Sequence, residues 1–480
     1  MNISKYILII VAVISLDSCS KILDNEPIGV LNSESFFKTS NDAVQGINAA
    51  YEPLMYTSSN KNAYWAFAEL PTDEAVVGGD GSQPGLTELD FFTYTPRTEE
   101  FNNFYKLEYK GISQCNTVLD RVPSIDMDET LKNRILGEAL FLRSFYYFQL
   151  TQVFGEVQLI TRVLPPTDIK YAKSSKDAIY QQIINDCKDA ANKLPTSYSA
   201  TDVGRATKGA ALALIAKTML YSKNWQGVLD YVSQVKELNI YSLTADYQDN
   251  FKIKTQNNTE SVWEIQHTNL ELGVGNSLNQ IWLSKKVTDG YGFAEVTQSY
   301  YDEFESGDPR RDFTIASNNQ EYFGVTYKNS YSSTRHSPRK YLQIDSTVTQ
   351  KADGDINVTP IRYAEVLLWE AEALNEIGRT SDAQDPLEVV RARARKQSSD
   401  PENTLPKITT ADQGIMRQAI RHERSVELGF EMHKFFDYVR WGIASDKLGA
   451  LGFQNGKHEV FPLPQIEIDL NKSLLQNPGY

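Results

Sequence analysis

Residues able to do chemistry are numerous, but their spacing does not assemble them into a reaction. His422-Glu423 opens like the zinc-protease signature H-E-x-x-H, whose second His must follow four residues after the first so that both face one metal; position 426 is Val. Asp353-Gly354-Asp355-Ile356-Asn357 opens like a calcium loop, yet Val358 stands where the sharp turn needs Gly and Ala364 where the bidentate Glu belongs. Gly78-Gly79-Asp80-Gly81 puts an acid where a phosphate cradle needs Lys and Ser or Thr, and no G-x-S-x-G elbow occurs. Asp73-Glu74 offers two carboxyl groups of the kind a glycosidase uses as acid and base, but with 62 Asp and Glu such pairs arise by chance. Cys115 and Cys187 lie in no CxxC and at no ligand spacing from a His, so both read as small buried hydrophobes. The expectation is a protein that is not an enzyme, with no metal and no cofactor.

The composition directs attention to binding. With 48 Lys and Arg against 62 acids the net charge is −14, which argues against nucleic acid as a partner. The chain nevertheless holds 26 Tyr, 21 Phe and 6 Trp among its 480 residues, at a mean hydropathy of −0.42. Aromatic rings beyond the needs of a core usually face a partner.

The elements that must carry those rings follow in order along the chain. Residues 1–18 read as a signal peptide: Lys5, then an apolar run from Ile7 to Ile14 too short to remain a membrane span, ending just before Cys19 in the manner of a lipoprotein cleavage site, with Asp17 an unusual neighbour. Cys19 is the expected lipid attachment point, and residues 19–35 a polar tether. Spacings of three and four predict helices from Thr39-Ser40-Asn41-Asp42 onward, then over about 101–119, 129–154, 176–193, 207–220 and 225–238. They return at 361–377, 383–396 and 413–429 and give way to a Pro-containing tail. Small and large residues alternate across a Gly turn from Ala371 to Arg391, with a looser copy from Ala210 to Tyr231, as in tetratricopeptide repeats. Two stretches, 61–99 and 244–358, are instead rich in Gly, Asn, Ser, Thr, Asp and aromatics, which reads as functional loop surface. The expected organisation is an N-terminal helical region over 36–240 and a C-terminal region over 241–480.

Four motifs in order then resemble the SusD/RagB family of outer-membrane nutrient-binding lipoproteins. They are Gly137-Glu138-Ala139 to Arg143 with Phe154-Gly155, Arg362-Tyr363-Ala364-Glu365 to Glu372, Glu423-Arg424 through Glu427 to Arg440-Trp441-Gly442, and Phe461-Pro462 to Gln476-Asn477-Pro478-Gly479-Tyr480. Gln158, Met432 and Lys434 depart from the family's usual residues. The motif residues themselves read as structural, with Arg143, Arg424 and Arg440 bridging helices and Gly442 ending one. The acids Glu423, Glu427, Glu431 and Asp437 read as ion-pair partners.

The resemblance implies a mainly α fold: tetratricopeptide-like helix pairs forming an α-α superhelical scaffold, with a loop-rich ligand face carrying a few short strands. It implies lipid anchoring on the outside of the outer membrane of a Bacteroidetes-type bacterium, and delivery of a glycan to a SusC-like TonB-dependent transporter. The alternatives are a peptide-capturing lid of a similar transporter and an interaction scaffold without a small ligand. A sugar site needs ring faces and polar side chains, and the two loop stretches supply Trp65, Asp73, Phe91, Phe92, Tyr94, Trp282, Tyr291, Phe293, Tyr322 and Tyr331 as its expected members; the chain's acidity is compatible with an uncharged ligand.

Overall fold

Capping residues set where the helices begin. In the computed structural model, which describes residues 36–55, 62–165, 170–199, 201–270, 275–287, 290–343 and 352–480, Thr39 and Asp42 form a reciprocal capping box that opens α1 (Ser40–Tyr51). The signal peptide, Cys19 and the whole of the tether lie outside the described residues. After α2 (Tyr64–Glu69), α3 (Pro84–Asp90) and α4 (Glu99–Arg121), side chains of Asp128, Ser175, Thr207 and Asn224 each accept a backbone N–H two or three residues into a helix. They start α5 (Glu129–Phe154), α6 (Lys176–Lys193), α7 (Lys208–Tyr221) and α8 (Trp225–Glu237).

From α4 to α8 each helix packs on the next, and α8 passes the row to α12 (Tyr363–Glu376), α13 (Thr380–Lys396) and α14 (Gln413–Leu428). The result is the expected mainly α scaffold of stacked pairs. Close approach inside it has a visible cause: a Cβ on Gly111 of α4 would lie 2.3 Å from the Tyr146 ring of α5. Not all of these helices are amphipathic as the sequence suggests; α5 is buried on every face from Gly137 to Phe154 because α1, α4 and α6 enclose it.

Strands are few, short and antiparallel. β1 (Ala75–Val77) pairs with β3 (Ala294–Val296), Val76 opposite Glu295, so the two long loop stretches are joined to each other. β2 (Ser261–Ile265) pairs with β8 (Val358–Arg362), which runs straight into α12. Between them β4 (Ile315–Ala316) pairs with β7 (Ser337–Pro338), and β5 (Glu321–Tyr322) with β6 (Val325–Thr326) in a hairpin. Short helices also lie inside the stretches read as loop: α2 and α3, then α9 (Leu278–Trp282), α10 (Gln298–Glu303) and α11 (Arg310–Thr314). α2 is buried throughout, so its sequence has no polar face to betray a helical period. After α14, helix α15 (Lys434–Trp441) ends at Gly442 with φ 73°, a left-handed cap.

Candidate functional site

Three of the four motifs bury charged side chains in pairs, and the fourth ties down the tail. Arg143 joins three helices, donating to Asp186 on α6 at 2.8 Å, to Asn116 on α4 at 2.8 Å, and to the Thr161 carbonyl at 3.0 Å. Glu138 receives Arg134 at 3.2 Å and Arg205 at 3.0 Å. At the other end of the molecule Arg362 donates to Glu431 at 2.7 Å and to Glu427 at 2.9 Å. Glu427 also receives Arg310 at 3.0 Å and Arg393, and Glu423 receives Arg391 at 2.8 Å. Glu365 lies 3.3 Å from Lys217 and 3.5 Å from Arg424, and Arg424 holds Asp437 at 2.9 Å. Arg440 and Trp441 both donate to Glu372, at 2.6 Å and 2.8 Å. Burial alone pushes the Glu427 carboxyl up, but Arg393, Arg362 and Arg310 pull it down to about 2. All of these partners lie on the protein's own helices and loops, and most are far apart in sequence. In the tail, Asn477 donates to the Phe154 and Phe461 carbonyls at 2.8 Å and 2.7 Å, clamping the two halves together.

A cleft lies directly on this network. The Tyr247 hydroxyl donates to the Glu427 carbonyl at 2.8 Å, fixing the turn Tyr247–Phe251. The buried Lys340, which donates to the Gly429 carbonyl and to Glu431 at 2.7 Å each, has its ammonium 4.9 Å from the Phe251 ring centre. Arg310, fully buried among Asp308, Glu423 and Glu427, fixes α11 and so places Phe313, stacked on Tyr247 at 6.2 Å. Across the cleft the β5–β6 hairpin tip presents Phe323 in the left-handed region (φ 49°), its ring 5.0 Å from Tyr322. Phe251, Phe313 and Phe323, all half-buried, line a cleft of about 810 Å³ with Gln248, Gln320, Gln343 and Arg339. That size and mixture suit a small organic ligand.

None of the ten residues expected at the ligand lines this cleft. Trp65 and Trp282 are 0 % exposed and pack edge to face at 6.1 Å, so they fill the core between α2 and α9. Tyr322 is buried behind Phe323; Phe92 and Tyr94 are buried against His458, Phe461 and Tyr480; Phe293 is buried under Gly79. Asp73 accepts from the Tyr438 hydroxyl at 2.9 Å and lies 3.5 Å from Lys434, a structural role. Tyr331 is half-buried with its ring 5.3 Å from Tyr327. Phe91 (56 %) and Tyr291 (39 %) remain exposed, away from the cleft. The cleft does fall inside residues 244–358, the second loop stretch. The missed signal is Phe323-Gly324 at a hairpin tip, where a ring has no core to enter.

The calcium-like stretch commits its carboxylates to the backbone: Asp353 accepts from Gly275 N–H at 2.5 Å and Asp355 from Asn269 N–H at 2.6 Å. Among the described residues no three His, Cys, Asp or Glu are placed to hold a metal. Cys115 and Cys187 are buried, and burial raises both thiols.

A stacked helical scaffold carrying a ring-lined cleft built by its loops is the architecture of a ligand-binding protein. Residues 238–480 match the sequence model of the SusD family, and residues 30–220 match one described as starch-binding associating with outer membrane. The chain belongs to the SusD family. SusD-like protein P2 of Formosa agariphila is 27% identical across 99% of this chain and 100% of its own length, and a SusD-like protein of Bacteroides ovatus 26% across 91% and 82%. Among solved structures, a laminarin binding SusD-like protein superposes with a TM-score of 0.80 at 28% identity, covering 92% of this chain and 100% of its own. Surface glycan-binding protein A from Bacteroides fluxus does so at 0.79 and 25%, with the same coverage.

Proposed function

We propose that this protein captures oligosaccharide in the Phe251–Phe313–Phe323 cleft and hands it, unmodified, to a SusC-like TonB-dependent transporter, held at the outer face of the outer membrane by a lipid on Cys19. The observation that carries the reading is the cleft's lining: three half-buried rings beside amide and guanidinium groups. Sugar rings present C–H faces to aromatic side chains and hydroxyls to such donors and acceptors. Membership of the SusD family supports it, as do relatives whose names state laminarin or glycan binding.

The test is titration of the whole chain with a panel of oligosaccharides, followed by recovery of the ligand. A ligand is expected to bind and return intact, and Phe251→Ala with Phe323→Ala to weaken it by about tenfold or more, the value of one to two ring contacts. Undiminished affinity in that double variant overturns the placement. Cleavage of the ligand, or binding of peptides alone, overturns the reading.

A further inference from the structure

We infer that the cleft takes an anionic glycan, one carrying carboxylate or sulfate groups on its sugar rings; this rests on the glycan reading above. The whole chain is acidic, at −14, yet the cleft lining holds Lys252, Lys254, Arg339 and Lys340 against Asp312 and Glu321. The excess survives pairing. Lys340 is neutralised by Glu431 at 2.7 Å, Lys252 by Asp246 and Asp249 at 2.9 Å and 3.0 Å, and Asp312 faces Arg311 at 3.2 Å. What remains is Lys254, which has no carboxylate within 4.0 Å among the described residues, and Arg339. The carboxylate of Glu321 stands 4.0 Å from Arg339 Nη1 on a side chain 73 % exposed, while the Arg339 side chain is 18 % exposed. Arg339 Nη2 also donates to the Glu321 backbone carbonyl and lies 3.5 Å from the Gln320 side-chain oxygen, and the guanidinium sits 5.9 Å from the Tyr322 ring centre. These partners are neutral, so a half-buried cation with one distant carboxylate still gains from a second anion. Burial also lowers its pKa, as expected of a cation short of compensation. Its planar donors match carboxylate and sulfate oxygens, whereas a neutral glucan offers hydroxyls that amides alone could meet. The overall acidity, compatible with an uncharged ligand, is an average over the whole chain that the cleft does not share.

The experiment compares ligands of matched length on the whole chain by calorimetry: oligogalacturonides for carboxylate, carrageenan oligosaccharides for sulfate, and laminarin and starch oligosaccharides as neutral controls. One anionic class is expected to bind at least about tenfold tighter than both neutral ones, and to weaken as salt rises from about 0.05 to about 0.5 M. Lys254→Glu, at an exposed position, and Arg339→Gln are each expected to lower that affinity several-fold, with circular dichroism confirming the fold. Neutral glycans bound as tightly as anionic ones, with loss on Phe323→Ala, overturn the charge assignment and leave the glycan reading standing. Anionic binding indifferent to both charge variants overturns it too. Absence of binding to every glycan overturns the reading underneath.

Discussion

Two regions in direct contact use the same side-chain chemistry to opposite ends. Beneath the cleft, Arg310, Arg362, Arg391 and Arg393 meet Glu260, Glu423, Glu427 and Glu431 in a buried lattice where each guanidinium has a carboxylate within about 3 Å. In the cleft above, Arg339 has its carboxylate at 4.0 Å and Lys254 none among the described residues. Charges already satisfied hold a shape, and charges left loose can be used by a ligand. Lys340 links the two, buried in the lattice with its ammonium against the Phe251 ring.

The largest way to test that contrast is to break the lattice. Arg362→Met leaves Glu427 and Glu431 short of a buried cation and is expected to cost about 3–5 kcal/mol in denaturant unfolding. Phe323→Ala, on a half-buried ring, is expected to cost under about 1 kcal/mol while weakening ligand. The contrast fails if the two costs are alike. A smaller effect comes from pH. The lattice holds Glu427 at about 2, below its ordinary 4.5, so its contribution is complete above 4.5 and lost as pH falls toward 2. Glu74, which receives the Phe430 N–H, is raised by burial to about 7, so its contribution is complete below 4.5 and lost as pH rises through 7. Stability is therefore expected to peak between these limits. Glu69, Glu108 and Asp90 are raised by burial in the same direction. Melting measured across the range should therefore show a smaller decline toward neutral pH in Glu74→Gln; a decline of unchanged size in that variant removes Glu74 as a cause.

The same contrast explains what the sequence made legible. Helix starts at Asp128, Ser175 and Thr207 and ion pairs such as Asp437–Arg440, three residues apart on one helix, depend on local spacing, which is written in the chain. The loop face depends on contacts far apart in sequence. Trp65 and Trp282 look like surplus rings until α2 and α9 are brought together, at which point each is the other's core. Phe251, Phe313 and Phe323 carry no motif, and their common cleft exists because Tyr247 and Arg310 are anchored on Glu427 of α14 while the β5–β6 hairpin is tied by the Tyr322 hydroxyl to the Pro338 carbonyl beside them. The cleft lies within the stretch 244–358 that composition singles out, and only the fold brings its rings together.

The smallest expected effect decides whether that choice is right. Phe91 and Tyr291 are the expected ligand rings that stay well exposed, and Tyr291 sits on a credible rival surface: Phe293 is 5.1 Å from it, Gly79 presses on Phe293, and Asp80 pairs with Lys285 at 3.0 Å nearby. That edge, where β1 joins β3, carries rings and charges, and its Tyr291 is 39 % exposed, so a sugar there would leave more of itself in water and gain less from each contact. Phe91→Ala with Tyr291→Ala is accordingly expected to change stability by no more than about 0.5 kcal/mol and affinity by less than about twofold, in the same titration that scores the cleft variants. A loss comparable to that of Phe251→Ala with Phe323→Ala would mean that the ligand spans from the cleft to the β1–β3 edge. The loosely held charges of Arg339 and Lys254 would then mark one end of a longer site, and Asp80, paired with Lys285, would lie toward its other end.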